Sequence, residues 1–103
     1  MKRFRIELTD EAKADFDRSY NWGTREWGRS AAARWYRELR ASIREILGHF
    51  PLSQPIAPES EELGAELRQM IFRRYRVIFE IERSTVRILH LKGPFVDDKI
   101  GDG

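Results

Sequence analysis

Apolar and polar residues alternate near the start of the chain. Phe4, Ile6 and Leu8 interleave with Arg3, Arg5 and Glu7, the period of two expected of a strand with one buried face. Thr9-Asp10-Glu11 then changes the rhythm. A threonine hydroxyl can accept from the first free amides of a helix, and two carboxylates suit its positive end. Ala12, Phe16 and Tyr20 recur every four residues, and Trp27 continues the stripe. The spacing predicts an amphipathic helix running to about Trp22 or Trp27. Gly23 and Gly28 weaken helix there, so a break is expected between Trp22 and Ser30. A second helix follows, with Ser30 as its expected N-cap and Ala31-Ala32-Ala33 as strong helix formers. Ala32, Trp35, Tyr36, Leu39, Ile43, Ile46, Leu47 and Phe50 make one apolar face, and Pro51 ends it. Two helices joined by a short link form an antiparallel hairpin.

Residues 51–64 carry Pro51, Pro55, Pro58 and Gly64 with little periodicity. They read as a long loop with one helical turn at Ser60–Leu63. Three strands come next. Leu67–Phe72 is the first. In the second, Tyr75, Val77, Phe79 and Ile81 alternate with Arg76, Ile78, Glu80 and Glu82. The third is Thr85–Lys92, where strict alternation puts Val86, Ile88 and His90 on one face and Leu89 and Leu91 on the other. The links Arg73-Arg74 and Arg83-Ser84 are short enough for hairpins. The fold class is therefore α+β: strand, helix, helix, then a three-stranded antiparallel meander, with the helical hairpin packed on one face of a small sheet. The first strand must join an edge of that sheet, and either edge satisfies the pattern.

The length, 103 residues, suits one domain with one core. Residues 1–92 are read as that domain and 93–103 as a flexible, polar C-terminal tail. No apolar run approaches the roughly 20 residues that span a bilayer, so no membrane partner is expected. The absence of cysteine excludes a disulfide framework, a thiol nucleophile and a Cys-based zinc site, and it agrees with a reducing, cytoplasmic location.

Charge changes the picture more through its placement than its sum. The net charge is +2 although 35% of residues are charged. Arg29, Arg34, Arg37, Arg40 and Arg44 form one basic stretch. Arg68, Arg73, Arg74 and Arg76 form another, with Glu59, Glu61, Glu62 and Glu66 between them. Such a patchy surface suits a polyanion or an acidic partner, or is simply a solvated face.

Most catalytic chemistry is missing. No glycine-rich phosphate loop and no HExxH element are present. His49 and His90 are too few for a His-rich metal site, and no serine has a nucleophile-elbow context. No cofactor and no metal are expected. Trp22, Trp27 and Trp35 could stack on bases, but their spacing on the helical stripes favours core packing. What remains is arginine and one strand histidine. Arg76, Arg68, His90 and Lys92 are the candidate residues for a ribonuclease, as phosphate clamp and acid/base set. Alternation puts Arg76 on the sheet face away from the helices, where Arg68 could join it to make an anion site. Equally, Arg76 could pair with Glu80 or another carboxylate as a structural bridge, and His90 could be a satisfied strand-end histidine.

The ordered set of segments is more informative than any one of them. Phe4-Arg5-Ile6-Glu7-Leu8-Thr9 leads into Ala12-Lys13-Ala14-Asp15-Phe16. Tyr20-Asn21-Trp22-Gly23 and Tyr36-Arg37-Glu38-Leu39 follow. Leu67-Arg68, Tyr75-Arg76-Val77-Ile78-Phe79 and Val86-Arg87-Ile88-Leu89-His90 close the series. Over about residues 3–92 this resembles the RelE/ParE superfamily of toxins from bacterial type II toxin–antitoxin modules. The resemblance implies a growth-inhibiting toxin of the plasmid-stabilization kind. It would be neutralised by a cognate antitoxin wrapped across the hairpin and sheet in a hetero-oligomer. The RelE branch cuts messenger RNA in the ribosome, and the ParE branch inhibits DNA gyrase without being a nuclease. The RNase branch typically has paired lysines on the strand before Tyr-Arg. Here that strand is Leu67-Arg68-Gln69-Met70-Ile71-Phe72, and only Arg76 matches an RNase-branch catalytic position directly. Gly93-Pro94 stands where many members have a further His or Arg, Lys92 keeps a cation nearby, and the C-terminal Tyr is missing. The departures favour gyrase as target. A RelE-like, ribosome-dependent endonuclease and an inactive member that only binds its antitoxin are the alternatives.

Overall fold

The computed structural model describes residues 3–93; most of the expected tail lies outside the described residues. The elements run β1 (Arg5–Leu8), α1 (Asp10–Trp27), α2 (Arg29–Ser42), α3 (Glu59–Leu63), β2 (Arg68–Phe72), β3 (Tyr75–Glu82) and β4 (Thr85–Lys92). The sheet order is β1-β4-β3-β2. The three late strands form the antiparallel meander. The first strand joins the β4 edge in parallel, with Ile6 opposite Val86 and Leu8 opposite Ile88. No described helix is long and apolar enough to cross a membrane.

Thr9 caps α1 as expected: its hydroxyl accepts from the Ala12 amide at 3.1 Å. It also donates to the Leu89 carbonyl at 3.3 Å, tying the helix start to β4. The buried stripe of α1 is Ala12, Phe16, Ser19 and Gly23. Tyr20, placed on the stripe by the four-residue spacing, lies beside it, edge-on to Tyr36 with ring centroids 5.4 Å apart. The break between the helices falls at Gly28, whose φ is +96°. Glycine enters that region without steric cost, so Gly28 and not Ser30 precedes the second helix. The second helix also runs on beyond α2. A π-helical turn at Ile43–Leu47 inserts one extra residue per turn and keeps Ile43 and Leu47 both buried. Helix ends just before Phe50, and Pro51 begins a short 3-10 turn.

The core lies between hairpin and sheet. Ala12, Phe16, Trp35, Leu39, Ile43 and Leu47 meet Met70, Tyr75, Val77, Phe79, Val86, Ile88 and Leu91. Leu91 is in this cluster although strict alternation assigns it to the opposite face from Val86 and Ile88. The reason is a register shift between Ile78 and Phe79: Ile78 pairs His90 while Phe79 pairs Ile88. Leu89 is the extra residue, and such a bulge inverts the phase of everything after it. A smaller cluster, Ala57, Leu67 and Ile78 with Leu89 against it, closes the other face of the sheet.

That second face is covered by the 51–67 segment, which acts as a strap. Its Pro55 carbonyl accepts from the Gln69 amide at 3.0 Å, and the Ala57 amide donates to the Leu67 carbonyl at 2.8 Å. The strap thus covers part of the β2 edge, one of the ways in which proteins keep sheet edges from pairing with other chains.

Candidate functional site

Arg76 and Lys92 stand directly opposite each other on β3 and β4. Two cations at such a pair repel unless an anion joins them. Glu59, in the first turn of α3, is that anion. Arg76 Nη2 donates to Glu59 Oε2 at 2.7 Å and Nη1 to Oε1 at 3.2 Å, the two-pronged geometry of a guanidinium on a carboxylate. Arg76 Nη1 also donates to Gln69 Oε1 at 2.6 Å, and Lys92 Nζ lies 3.7 Å from Glu59 Oε2. The hydrogen bond from Arg76, helped by its charge and that of Lys92, holds the Glu59 carboxyl at about 2, well below the usual carboxylate range. The same pairing raises Arg76 further. Of the two sequence expectations for Arg76, the carboxylate bridge is therefore present, but with Glu59. Glu80 pairs instead with Arg87 at 2.9 Å, and Glu82 joins them at 3.1 Å.

Arg68 does not join Arg76. It is opposite Phe79 in the β2–β3 register, which gives it the parity of Met70 and the helix-facing residues. Its guanidinium goes to the strap: Nη1 donates to the Gln54 carbonyl at 2.6 Å and the Leu52 carbonyl at 3.3 Å, and Nη2 to Glu66 at 2.9 Å. His90 faces a different partner again, with Nδ1 3.3 Å from Asp15 Oδ2. A carboxylate only accepts, so Nδ1 carries the proton in that contact. The same oxygen accepts from the Leu91 amide at 3.1 Å, a donor that β1 is too short to reach. Of the four candidates, the fold brings together Arg76 and Lys92 only.

Glu59, Gln69 and Asp15 were not singled out in the sequence. Glu59 follows Pro58 at the start of a short turn, a place where an acid is usually a solvated helix-start residue. Nothing local marks it as the partner of a cation 17 positions later. Asp15 sits on the polar flank of an amphipathic helix and shows no local signal either.

A second feature is a cleft of about 380 Å³ between the hairpin and the β2–β3 turn. Trp22, Trp27, Trp35 and Tyr75 form its walls, and Arg34, Arg73 and Arg74, with Glu38 bridged to Arg73, its mainly basic rim. Trp27 is 43% exposed and Trp35 only 4%, so the tryptophans divide between surface and core. Trp35 Nε1 and the Tyr75 hydroxyl are buried and have no hydrogen-bond partner among the described residues. Burial also pushes the Tyr75 hydroxyl up from its ordinary pKa. No group of acidic or histidine side chains fit to hold a metal ion occurs among the described residues.

The model of the ParE toxin family of type II toxin–antitoxin systems (parDE) matches residues 6–92. Toxin ParE1 of Caulobacter vibrioides is 35% identical over 96 residues, covering 87% of this chain and 90% of the relative. A solved structure described as a chromosomal ParDE toxin–antitoxin system from P. aeruginosa superposes with a TM-score of 0.70 at 14% identity. It covers 88% of this chain and 96% of its own, a likeness of fold. With the match spanning β1 to β4, the chain belongs to the ParE toxin family of type II toxin–antitoxin systems.

Proposed function

We propose that this ParE-type toxin is a cytoplasmic growth inhibitor that acts on DNA gyrase by binding, without cutting RNA, and is neutralised by a cognate antitoxin. The observation that carries the non-nucleolytic reading is the commitment of the candidate groups. Arg76 is held by Glu59 and Gln69, Arg68 by strap carbonyls, and His90 by Asp15. An acid, a base and a clamp within reach of one phosphodiester are what RNA cleavage needs, and these side chains are dispersed over separate partners. Family membership supports gyrase as the target.

For the antitoxin, the aromatic cleft is the proposed docking place. It offers apolar aromatic walls and an arginine-rich rim, a combination suited to an apolar segment flanked by acidic residues. Expression of the chain in a bacterial host tests the target. The expected outcome is growth arrest with altered plasmid supercoiling while translation continues, and inhibition of purified gyrase. Early loss of translation with cleaved messenger would instead establish the RelE-like nuclease. Co-purification with the product of an adjacent small reading frame, weakened at least tenfold by Trp27→Ala, tests the docking place.

A further inference from the structure

We infer that Arg76, Lys92 and Gln69 form a binding site for a phosphate-type oxyanion, which Glu59 fills from the strap as a built-in plug. The inference does not depend on which cellular target the toxin has.

The first argument is the cost of the arrangement. Like charges at directly opposed strand positions are destabilising, yet Arg76 and Lys92 occupy such a pair. Their sum of charge exceeds what one carboxylate offsets. A phosphate brings more negative charge and three acceptor oxygens to the same place, so it satisfies the pair better. The second argument is geometry. Glu59 already presents two oxygens to the Arg76 fork at 2.7 and 3.2 Å, and a phosphate meets a guanidinium through the same two parallel bonds. Gln69 accepts from Arg76 through Oε1 and so orients the fork while leaving its own amide N–H groups as donors for an anion.

The third argument is that the plug is removable. None of the five residues of α3 is buried. Its anchors are the Ser60 hydroxyl on the Leu67 backbone, at 2.9 Å in both directions, and Ala57 in the small cluster. Neither anchor involves the Glu59 side chain, so a change of its rotamer withdraws the carboxylate while both anchors stay in place. The side chain of Lys92 is 44% exposed, so one side of the site already meets solvent. Protonation does not open the site at ordinary pH, because Glu59 titrates near 2; a competing anion does.

The test compares the wild-type chain with Glu59→Gln, which keeps the shape and removes the charge. Both are titrated with inorganic phosphate at constant ionic strength while the Arg side-chain Nε–H resonances are followed by NMR. Glu59→Gln is expected to bind phosphate about tenfold or more tighter than wild type, with the largest shift at Arg76, and Glu59→Gln/Arg76→Gln to lose that gain. Equal affinity in wild type and Glu59→Gln, or a gain that survives in the double variant, overturns the inference. If Glu59→Gln does not fold, the wild-type titration decides: a saturable shift confined to Arg76 and its neighbours supports the site, and none, or one spread over all arginines, overturns it. A short single-stranded oligonucleotide in place of phosphate identifies the source. Tighter binding than phosphate marks a nucleic-acid backbone, and binding no tighter marks free phosphate or a small phosphorylated molecule.

Discussion

On the helix side of the sheet, buried side chains run without interruption from Ala12 to Leu91. On the strap side, Ala57, Leu67 and Ile78 make up the buried cluster with Leu89 against it, and polar contacts add to it: Glu59 on Arg76 and Ser60 on Leu67, with Arg68 tying the strap to the β2 edge. Both faces belong to the same strands, and alternate residues of β3 serve one or the other. The helix side is held by removal of apolar area from water, which is not screened by salt as charge pairs are and has no direction. The strap side joins its small cluster to directed, charged contacts of modest net strength. A face built the second way can be opened or exchanged without unfolding the first.

The largest expected effect lies on the helix side. Phe79→Ala removes a fully buried ring and is expected to cost about 3–5 kcal/mol in urea unfolding. Ile78→Ala, one residue along and equally buried, is expected to cost about 2 kcal/mol, the lower end for such truncations, because the short strap can settle into the space. Equal losses would show that the strap is as rigid a cover as the hairpin. Glu59→Gln is expected to cost about 1 kcal/mol at neutral pH. The folded-state carboxyl lies near 2, below its ordinary 4.5. Its contribution is therefore fully present above about pH 5 and is lost as pH falls from there toward 2. The stability gap between wild type and Glu59→Gln should close over that window, and a gap that persists at pH 2 would remove the ion pair from the account. The smallest effect is expected for Glu38→Gln, which breaks the exposed bridge to Arg73 and should change stability by less than about 0.5 kcal/mol.

The helix side was the more legible of the two in sequence. Its residues repeat at helical and strand periods, and the stripes of Ala12–Phe16 and Val77–Phe79 can be read directly. Phase errors arose where one residue shifts a period. The bulge at Leu89 moves Leu91 into the core, and after the π-helical turn Phe50, expected on the apolar face of the second helix, is exposed. Neither leaves a compositional mark. The positive φ of Gly28 outweighed the capping preference of Ser30, so the N-cap lies two residues earlier. The candidate site was half legible. Arg76 follows from alternation, whereas Lys92 reaches its face only through the bulge at Leu89, because strict alternation groups it with Val86 and Ile88. Their anion follows from neither, because the strap has no period and Glu59 reaches β3 only through the tertiary path of a proline-rich segment. The sequence leaves Arg68 free to join the Arg76 face, whereas the register gives it the opposite one.

The parallel pairing of β1 with β4 has a consequence for how the toxin is made. Residues 5–8 leave the ribosome early, yet their neighbours in the sheet are residues 85–88. Until those emerge, the apolar side chains of Ile6 and Leu8 have no strand beside them and α1 has no β4 to sit on. The fold is closed by its latest-made strand, so long-range pairing delays its completion. The sheet of a chain under synthesis therefore stays incomplete until β4 has emerged.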